Sequence, residues 1–270
     1  MNNTYLMTFS PTGTSRKVGQ AILKGIGSDG NIIDLTHIPD GQHSFQHGSV
    51  VIVTVPVYAG HLAPEALKRM KNISASGAYA VAVVLYGNRA YESALCELGD
   101  MLKSCGFRVI AGGAFVGEHS YSTAEYPIAS GRPDMEDLRQ AEEFGKSVRC
   151  KMDNGNPAEV VLHKLPHPSS GFMNKLRFIA GVLRIRNSKA PRQMVPHADE
   201  SLCVHCGLCS KACPTNAIAK GDECKTDHGK CIRCCACVKV CPHSARSFNT
   251  PFAPLLSYNF SRQKPNVTLL

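Results

Sequence analysis

Eight cysteines within residues 203–241 constrain this chain more than any other feature of its 270 residues. They stand in two runs, Cys203-x-x-Cys206-x-x-Cys209-x-x-x-Cys213-Pro214 and Cys231-x-x-Cys234-x-x-Cys237-x-x-x-Cys241-Pro242, offset by 28 residues (231 − 203 = 28). Ala217 and Ala245 obey the same offset, so a duplicated module is the simplest account. Thiols this dense are soft ligands and point to a metal. A disulfide framework fits less well, because the start Met1-Asn-Asn-Thr-Tyr-Leu lacks a basic region and the apolar run after it is short, unlike an export signal.

The spacing C-x2-C-x2-C-x3-C-P is that of bacterial ferredoxins carrying two clusters. Three closely spaced cysteines wrap a loop around one cubane, while the fourth lies on the following helical turn, points away and serves the other cluster. This assigns Cys203, Cys206, Cys209 and Cys241 to one [4Fe-4S] centre, and Cys231, Cys234, Cys237 and Cys213 to a second. Zinc is the competing metal, but zinc ribbons use paired C-x2-C knuckles without a third cysteine three residues on. Cys235, beside Cys234 and aligned with Gly207, could exchange with a ligand, yet its use would spoil the two-residue interval on both sides. Val204, Leu208, Ile218, Ile232, Val238 and Val240 are expected to keep water from the centres, which tunes their potential. Of the remaining thiols, Cys96 and Cys105 read as small apolar residues; no role is assigned to Cys224.

Residues 1–150 read differently. Short β-prone runs at 5–9, 31–35, 49–55, 78–85 and 108–111 alternate with helical patterns at 16–24, 64–71, 91–104 and 133–151. Near-continuous apolar strands between helices indicate a parallel sheet covered on both faces, with ligands outside the carboxyl ends of its strands. The first strand breaks into Ser10-Pro-Thr12-Gly13-Thr14-Ser15, where hydroxyls and backbone N–H groups could cradle a phosphate. The alternative is an ordinary Ser/Thr-rich turn with a helix cap at Thr14 or Ser15. No lysine stands in the loop, which argues against a P-loop NTPase. Gly25-x-Gly27-x-x-Gly30 matches a dinucleotide fingerprint in form only, because it follows a helix and precedes a strand; it reads as a helix C-cap and turn.

Three loops carry a resemblance. Ser10-x-Thr12-Gly13-Thr14-Ser15 resembles the flavodoxin phosphate loop, Pro56-Val57-Tyr58-x-Gly60 its second flavin loop, and Tyr86-Gly87-Asn88-Arg89 its third. With the eight-cysteine module, the chain resembles the flavodoxin-ferredoxin fusion electron-transfer family over nearly its full length. The family often has Asn where this chain has Thr14, a position that contributes a backbone N–H in either case. The resemblance implies FMN, with its phosphate on residues 10–15 and its ring between the Tyr58 and Tyr86 loops. The chain has no Trp, so stacking on the ring would fall to tyrosine, and His119 would tune the ring or serve a purely structural role. The expected fold is α/β, a flavodoxin-like doubly wound parallel sheet followed by a small α+β ferredoxin-like domain. Its expected divisions are 1–152, a basic linker 153–196, the cluster domain 197–248 and a tail 249–270 that packs back.

Charge divides the chain at the same place. Residues 1–150 hold 13 Lys+Arg against 14 Asp+Glu, whereas residues 151–270 hold 17 against 7. A basic shell suits anionic clusters, so nucleic acid is not expected as a partner. Residues 160–198 contain seven Lys/Arg and no Asp or Glu, with prolines at 166, 168, 191 and 196 and with Phe172, Leu176, Ile179 and Leu183 at helical spacing. Such a helix could lie on an anionic membrane surface or dock an acidic redox protein. Packing of that stripe onto its own domain is preferred, since the stripe is short. The expected protein is cytoplasmic and moves electrons between two [4Fe-4S] clusters, an FMN and redox partner proteins. The alternatives are a reductase of a small quinone-like acceptor and a redox-responsive binding module.

Overall fold

The computed structural model describes residues 3–37, 41–189 and 195–270; Pro191 of the linker lies outside them. In chain order the elements are β1 (Thr4–Thr8), α1 (Thr14–Ile26), β2 (Asn31–Asp34), β3 (His43–Phe45), β4 (Val50–Tyr58), β5 (His61–Leu62), α2 (Pro64–Arg69) and β6 (Ile73–Ala75). They continue through β7 (Tyr79–Tyr86), α3 (Ala94–Ser104), β8 (Arg108–Val116), α4 (Met135–Asp153), α5 (Phe172–Asn187), β9 (His197–Ala198), α6 (Leu208–Ala212) and α7 (Ala236–Lys239). The last are β10 (Arg246–Ser247), α8 (Phe252–Asn259) and β11 (Val267–Leu269). The chain divides into two units. One holds residues up to Glu118, Gly131–Ser169 and Lys264–Leu270; the other holds His119–Ser130 and Ser170–Gln263.

The first unit is built on one sheet in the order β11-β8-β7-β4-β1-β2. Its five parallel strands run β2-β1-β4-β7-β8, the 2-1-3-4-5 order of the flavodoxin-like doubly wound sheet. Leu6, Val50, Ile52, Val81 and Val83 share a buried cluster with Val18 and Ile22 of α1 and Phe144 and Val148 of α4. Residues of opposite parity, Met7, Val51, Val53 and Val84, are also fully buried, as a sheet covered on both faces requires. α1 and α4 approach backbone to backbone: a Cβ on Gly25 would lie 2.0 Å from Glu142 O, and one on Gly145 would lie 2.2 Å from Ile22 O. Gly27 ends α1 in the left-handed region at φ 78°. Gly25 and Gly27 of the false fingerprint therefore serve helix contact and helix termination.

Strand β8 runs five residues beyond the pattern that marks it in sequence. Its glycines hide it: a Cβ on Gly112 would lie 2.3 Å from Leu162 Cδ2, so a side chain there would displace the covering residue. β11 pairs antiparallel with β8 at Val267 to Ala114, making the chain's last residues the sheet's outer strand.

The second unit has little regular structure. β9 and β10 form a two-stranded antiparallel ladder, Arg246 opposite Ala198, and α6 and α7 are short. α5 packs on α8 through the Phe178 and Phe260 rings, 5.1 Å apart. The stripe expected to pack, Phe172, Leu176, Ile179 and Leu183, stays exposed. The helix turns Asn174, Phe178, Gly181, Val182 and Ile185 inward instead, because Gly181 lets α8 come close: a Cβ there would lie 2.4 Å from Leu255 Cδ1.

Candidate functional site

The duplication in the cysteine runs is visible in the backbone. His205, Gly207 and Asn216 take φ of 52°, 75° and 52°, and Arg233, Cys235 and Ser244, each 28 residues on, take 58°, 59° and 51°. Non-glycine residues enter this left-handed region at a cost, so its recurrence at three matched positions means that both loops wrap the same way. Gly207 and Cys235 sit at the N-caps of α6 and α7 in that conformation. Each opens the short helix that carries the third cysteine of its run.

The two loops enclose two cavities. One, of about 320 Å³ including its mouth, is lined by Cys203, Cys206, Cys209 and Cys241. The other, of about 300 Å³, is lined by Cys213, Cys231, Cys234 and Cys237, with Cys235 also on its wall. Each cavity therefore draws three thiols from one run and the fourth from the other. Burial pushes the Cys234 thiol up to about 12 and Cys237 up to about 11, so any metal bound here would have to displace their protons. Ile218 is 3% exposed beside the thiols, but Val204, Leu208 and Val240 are exposed at 58%, 41% and 37%. The expected apolar shell is thus open on that side, a correction to the sequence reading.

Cys224 has a neighbour the spacing did not reveal. Its thiol, that of Cys203 and a ring nitrogen of His205 lie within 4.8 Å of one another. A single ion gathers its ligands this closely, whereas a cubane spreads thiolates over four corners. His205 Nδ1 is also 3.0 Å from the Glu223 carboxylate, and Glu223 accepts from Gly221 N–H at 2.8 Å. Cys203 is common to this group and to the first cavity, so the two arrangements compete for it.

Arg246 is a second residue that sequence reading missed. It is 3% exposed, and its guanidinium donates to Pro196 O at 3.1 Å and to Glu223 O and Thr226 Oγ1. Its buried Nε has no hydrogen-bond partner among the described residues, and no carboxylate pairs with it there. Burial raises the Cys209 and Cys237 thiols, and the Arg246 charge pulls against that rise at both. One cation thus acts on a cysteine of each cavity. The signal was the repeat offset, since 246 − 28 = 218 sets this arginine against the apolar Ile218.

In the first unit, β1 delivers the 10–15 loop to the start of α1. Ser10 Oγ accepts from Arg16 N–H at 3.0 Å, Ser10 N–H donates to Thr36 Oγ1 at 2.8 Å, and Gly13 turns the chain at φ 84°. Ser15 is fully buried and its hydroxyl has no partner among the described residues. The first turn of α1 contains no acidic residue. An unpaired buried hydroxyl beside a helix N-terminus, with Thr12 and Thr14 on the same loop, suits an anion.

The other loops differ from expectation. Pro56, Val57 and Tyr58 complete β4 and turn back through Ala59 and Gly60, at φ 54° and 94°, into β5. Tyr86 is only 2% exposed, and its ring meets Tyr91 edge-on at 5.5 Å. It offers no open face for stacking, whereas Tyr58 is half-buried. Asn88 is fully buried and accepts from Lys264 N–H at 3.1 Å; Gly87 O accepts from Arg89 N–H at 2.8 Å, and Arg89 pairs with Glu92 at 2.5 Å. His119 belongs to the second unit, where its Nδ1 accepts from Tyr121 N–H at 3.0 Å. Tyr121 packs there on Phe248 at 5.3 Å, and the Lys239 ammonium donates to Ser122 O at 3.0 Å.

The 4Fe-4S binding domain family matches residues 196–219 and 225–247, the two segments that hold all eight cysteines. No curated protein matches the chain. Among solved structures, a flavodoxin from the domain Archaea shares 12% identity over 56% of this chain and 99% of its own, at a TM-score of 0.37. An NADH:FMN oxidoreductase in its apo form shares 15% identity over 56% of this chain and 89% of its own, at 0.41. Rubredoxin oxygen:oxidoreductase from Desulfovibrio gigas shares 12% over 57% of this chain, which spans 37% of that protein, at 0.37. The fold assignment rests on the strand order rather than on these likenesses. The chain joins a flavodoxin-like parallel sheet to a 4Fe-4S ferredoxin domain in one polypeptide.

Proposed function

We propose that the protein is an electron carrier with two [4Fe-4S] clusters and one FMN, exchanging electrons with redox partner proteins. The observation that carries this reading is the composition of the two cavities, each walled by three cysteines of one run and the fourth of the other. That is the crossed assignment a two-cluster ferredoxin requires. Cys203, Cys206, Cys209 and Cys241 would hold one cluster, and Cys213, Cys231, Cys234 and Cys237 the other. Cys235 stays out of the set because its thiol is turned towards Arg233 O, 3.7 Å away.

FMN would place its phosphate at the 10–15 loop, where the Ser15 hydroxyl lacks a partner. Its ring would rest on Tyr58, with the Gly60 turn and the 86–89 loop on either side. Tyr86 would support that loop from beneath instead of stacking. A flavin in such a site supplies exchange between one- and two-electron carriers. The protein's own part is to bind, orient and set potentials, and no side chain has to act as acid, base or nucleophile.

Anaerobic purification with iron, sulfide and flavin analysis tests the reading. The expected content is about eight iron and one FMN per chain, four iron for each cubane. About one zinc per chain would sink it, and would point instead to the Cys203, His205 and Cys224 group.

A further inference from the structure

Helix α5 has two long faces with different surroundings. Asn174, Phe178, Gly181, Val182 and Ile185, one to four residues apart along the chain, are its half-buried residues, and this face meets α8 through Phe178 and Gly181. No residue of the helix is fully covered. On the other side Phe172, Leu176, Ile179 and Leu183 are 74%, 44%, 54% and 52% exposed. At 3.6 residues per turn those four fall within an arc of about 60°, a straight ridge along the helix.

Cations line both edges of the ridge. Lys175 and Arg186 lie along one side and Arg177 and Arg184 along the other, all exposed, as the same helical geometry dictates. None forms an ion pair among the described residues, and the helix carries no Asp or Glu. The surrounding residues 151–270 keep the same sign, with 17 Lys+Arg against 7 Asp+Glu.

Three occupants could cover an apolar ridge of this kind. The chain's own contact is already made by the opposite face. A second copy, meeting ridge to ridge, would bring two doubly cationic borders together, which like-charge repulsion opposes. An anionic lipid layer satisfies both features at once. Its acyl boundary receives Phe172, Leu176, Ile179 and Leu183, while its headgroups meet Lys and Arg on either side, whose long stems let the charges stay in the polar layer. No helix among the described residues is long and apolar enough to cross a membrane, so the contact is in the plane of the surface.

We propose that α5 is an in-plane anchor that lays this ridge on an anionic lipid surface. The claim does not depend on which cofactors the protein binds. It reverses the packing preference that the short stripe suggested in sequence, because the structure commits a different face to packing.

The test is co-sedimentation of the purified full-length protein, cofactors in place, with vesicles. Vesicles of phosphatidylcholine alone are compared with vesicles also containing phosphatidylglycerol, at low and high salt. The expected result is binding to the anionic vesicles only, weakened by salt. Ile179→Glu should weaken it at least about tenfold, and so should Gln at positions 175, 177, 184 and 186 together. All five side chains are exposed, so iron content and far-ultraviolet dichroism should stay unchanged and serve as the folding control. Absence of binding to anionic vesicles overturns the proposal, as does binding that both variants leave intact. A dimer in solution that Ile179→Glu dissolves also overturns it, assigning the ridge to a second copy.

Discussion

The two units of this chain are held together by different materials. In the first, the buried set is aliphatic and aromatic, a continuous layer from Leu6 and Val18 to Phe115 and Phe144 on one side of the sheet. Around the cavities of the second, the buried cluster is Cys209, Ile218 and Cys237, and a separate small cluster of Ile128, Leu256 and Phe260 lies elsewhere. The contrast predicts unequal dependence on cofactors. A sheet buried on both faces has its stabilisation in hand before any ligand binds. Loops whose interior is thiols obtain much of theirs from the metal that those thiols hold.

The sharpest way to break that comparison is to remove iron with a chelator under anaerobic conditions and follow amide hydrogen exchange. Residues 196–247 should lose protection altogether, while β4 and β7 keep theirs; protection retained at 196–247 would show that the loops stand without metal. Next in size is Ile52→Ala in the central strand β4, a fully buried side chain. It should cost about 2–5 kcal/mol of stability in denaturant melts of the first unit and leave iron per chain unchanged. A parallel loss of iron would mean that the units are not energetically separate.

Arg246 asks whether the second unit's electrostatics match its chemistry. Arg246→Gln removes a buried cation that acts on both cysteine sets, so with a cluster in each cavity, as proposed, both should become harder to reduce. A tenfold change in the reduction equilibrium corresponds to about 59 mV for a one-electron couple, measurable by spectroscopic redox titration. Arg246→Lys should restore most of the shift. A fall in iron content with unshifted potentials would reduce Arg246 to a brace for the 196, 223 and 226 backbone segments. The smallest effect is expected at Ser15→Ala. If Ser15 donates to the phosphate of FMN as proposed, losing that hydrogen bond should weaken FMN binding about fivefold, near 1 kcal/mol, with riboflavin, which has no phosphate, unaffected.

How much of this could be read from residues alone follows the same division. Cysteine spacing is a rigid ruler, and the two crossed groups of four that it proposes are those that line the two cavities. Apolar patterning marked the five parallel strands: β4 and β7 run through the core almost unbroken, whereas β2 at the sheet edge was marked only by Ile32 and Ile33 between polar ends. Periodicity failed where burial is supplied by something other than side-chain size. Gly112 and Gly113 masked the second half of β8, since what covers them comes from far along the chain, Leu162 over Gly112 and Thr268 beside Gly113. In α5 the pattern marked a ridge of large apolar residues, whereas packing selected the face that contains Gly181. Phe178 belongs to that inward face too, but it stands outside the conspicuous stripe. Tyr86 looked like a stacking residue because it ends a strand beside a glycine; only the neighbouring Tyr91 ring shows that its place is inside. Arg246 was legible in principle, through its alignment with Ile218, but a lone arginine in a basic segment gives no sign that it is buried.

The chain enters the iron-sulfur unit at His119, returns at Gly131, and contributes its last seven residues, Lys264–Leu270, to the sheet unit. Neither half can therefore be obtained by a single cut. A fragment starting at residue 170 would lack the Tyr121 ring that lies on Phe248, and one ending at residue 169 would lose the outer strand and the Lys264 bond to Asn88. Truncation or transplantation of either module would have to carry the borrowed pieces along, so the two units can be moved only as one interleaved object.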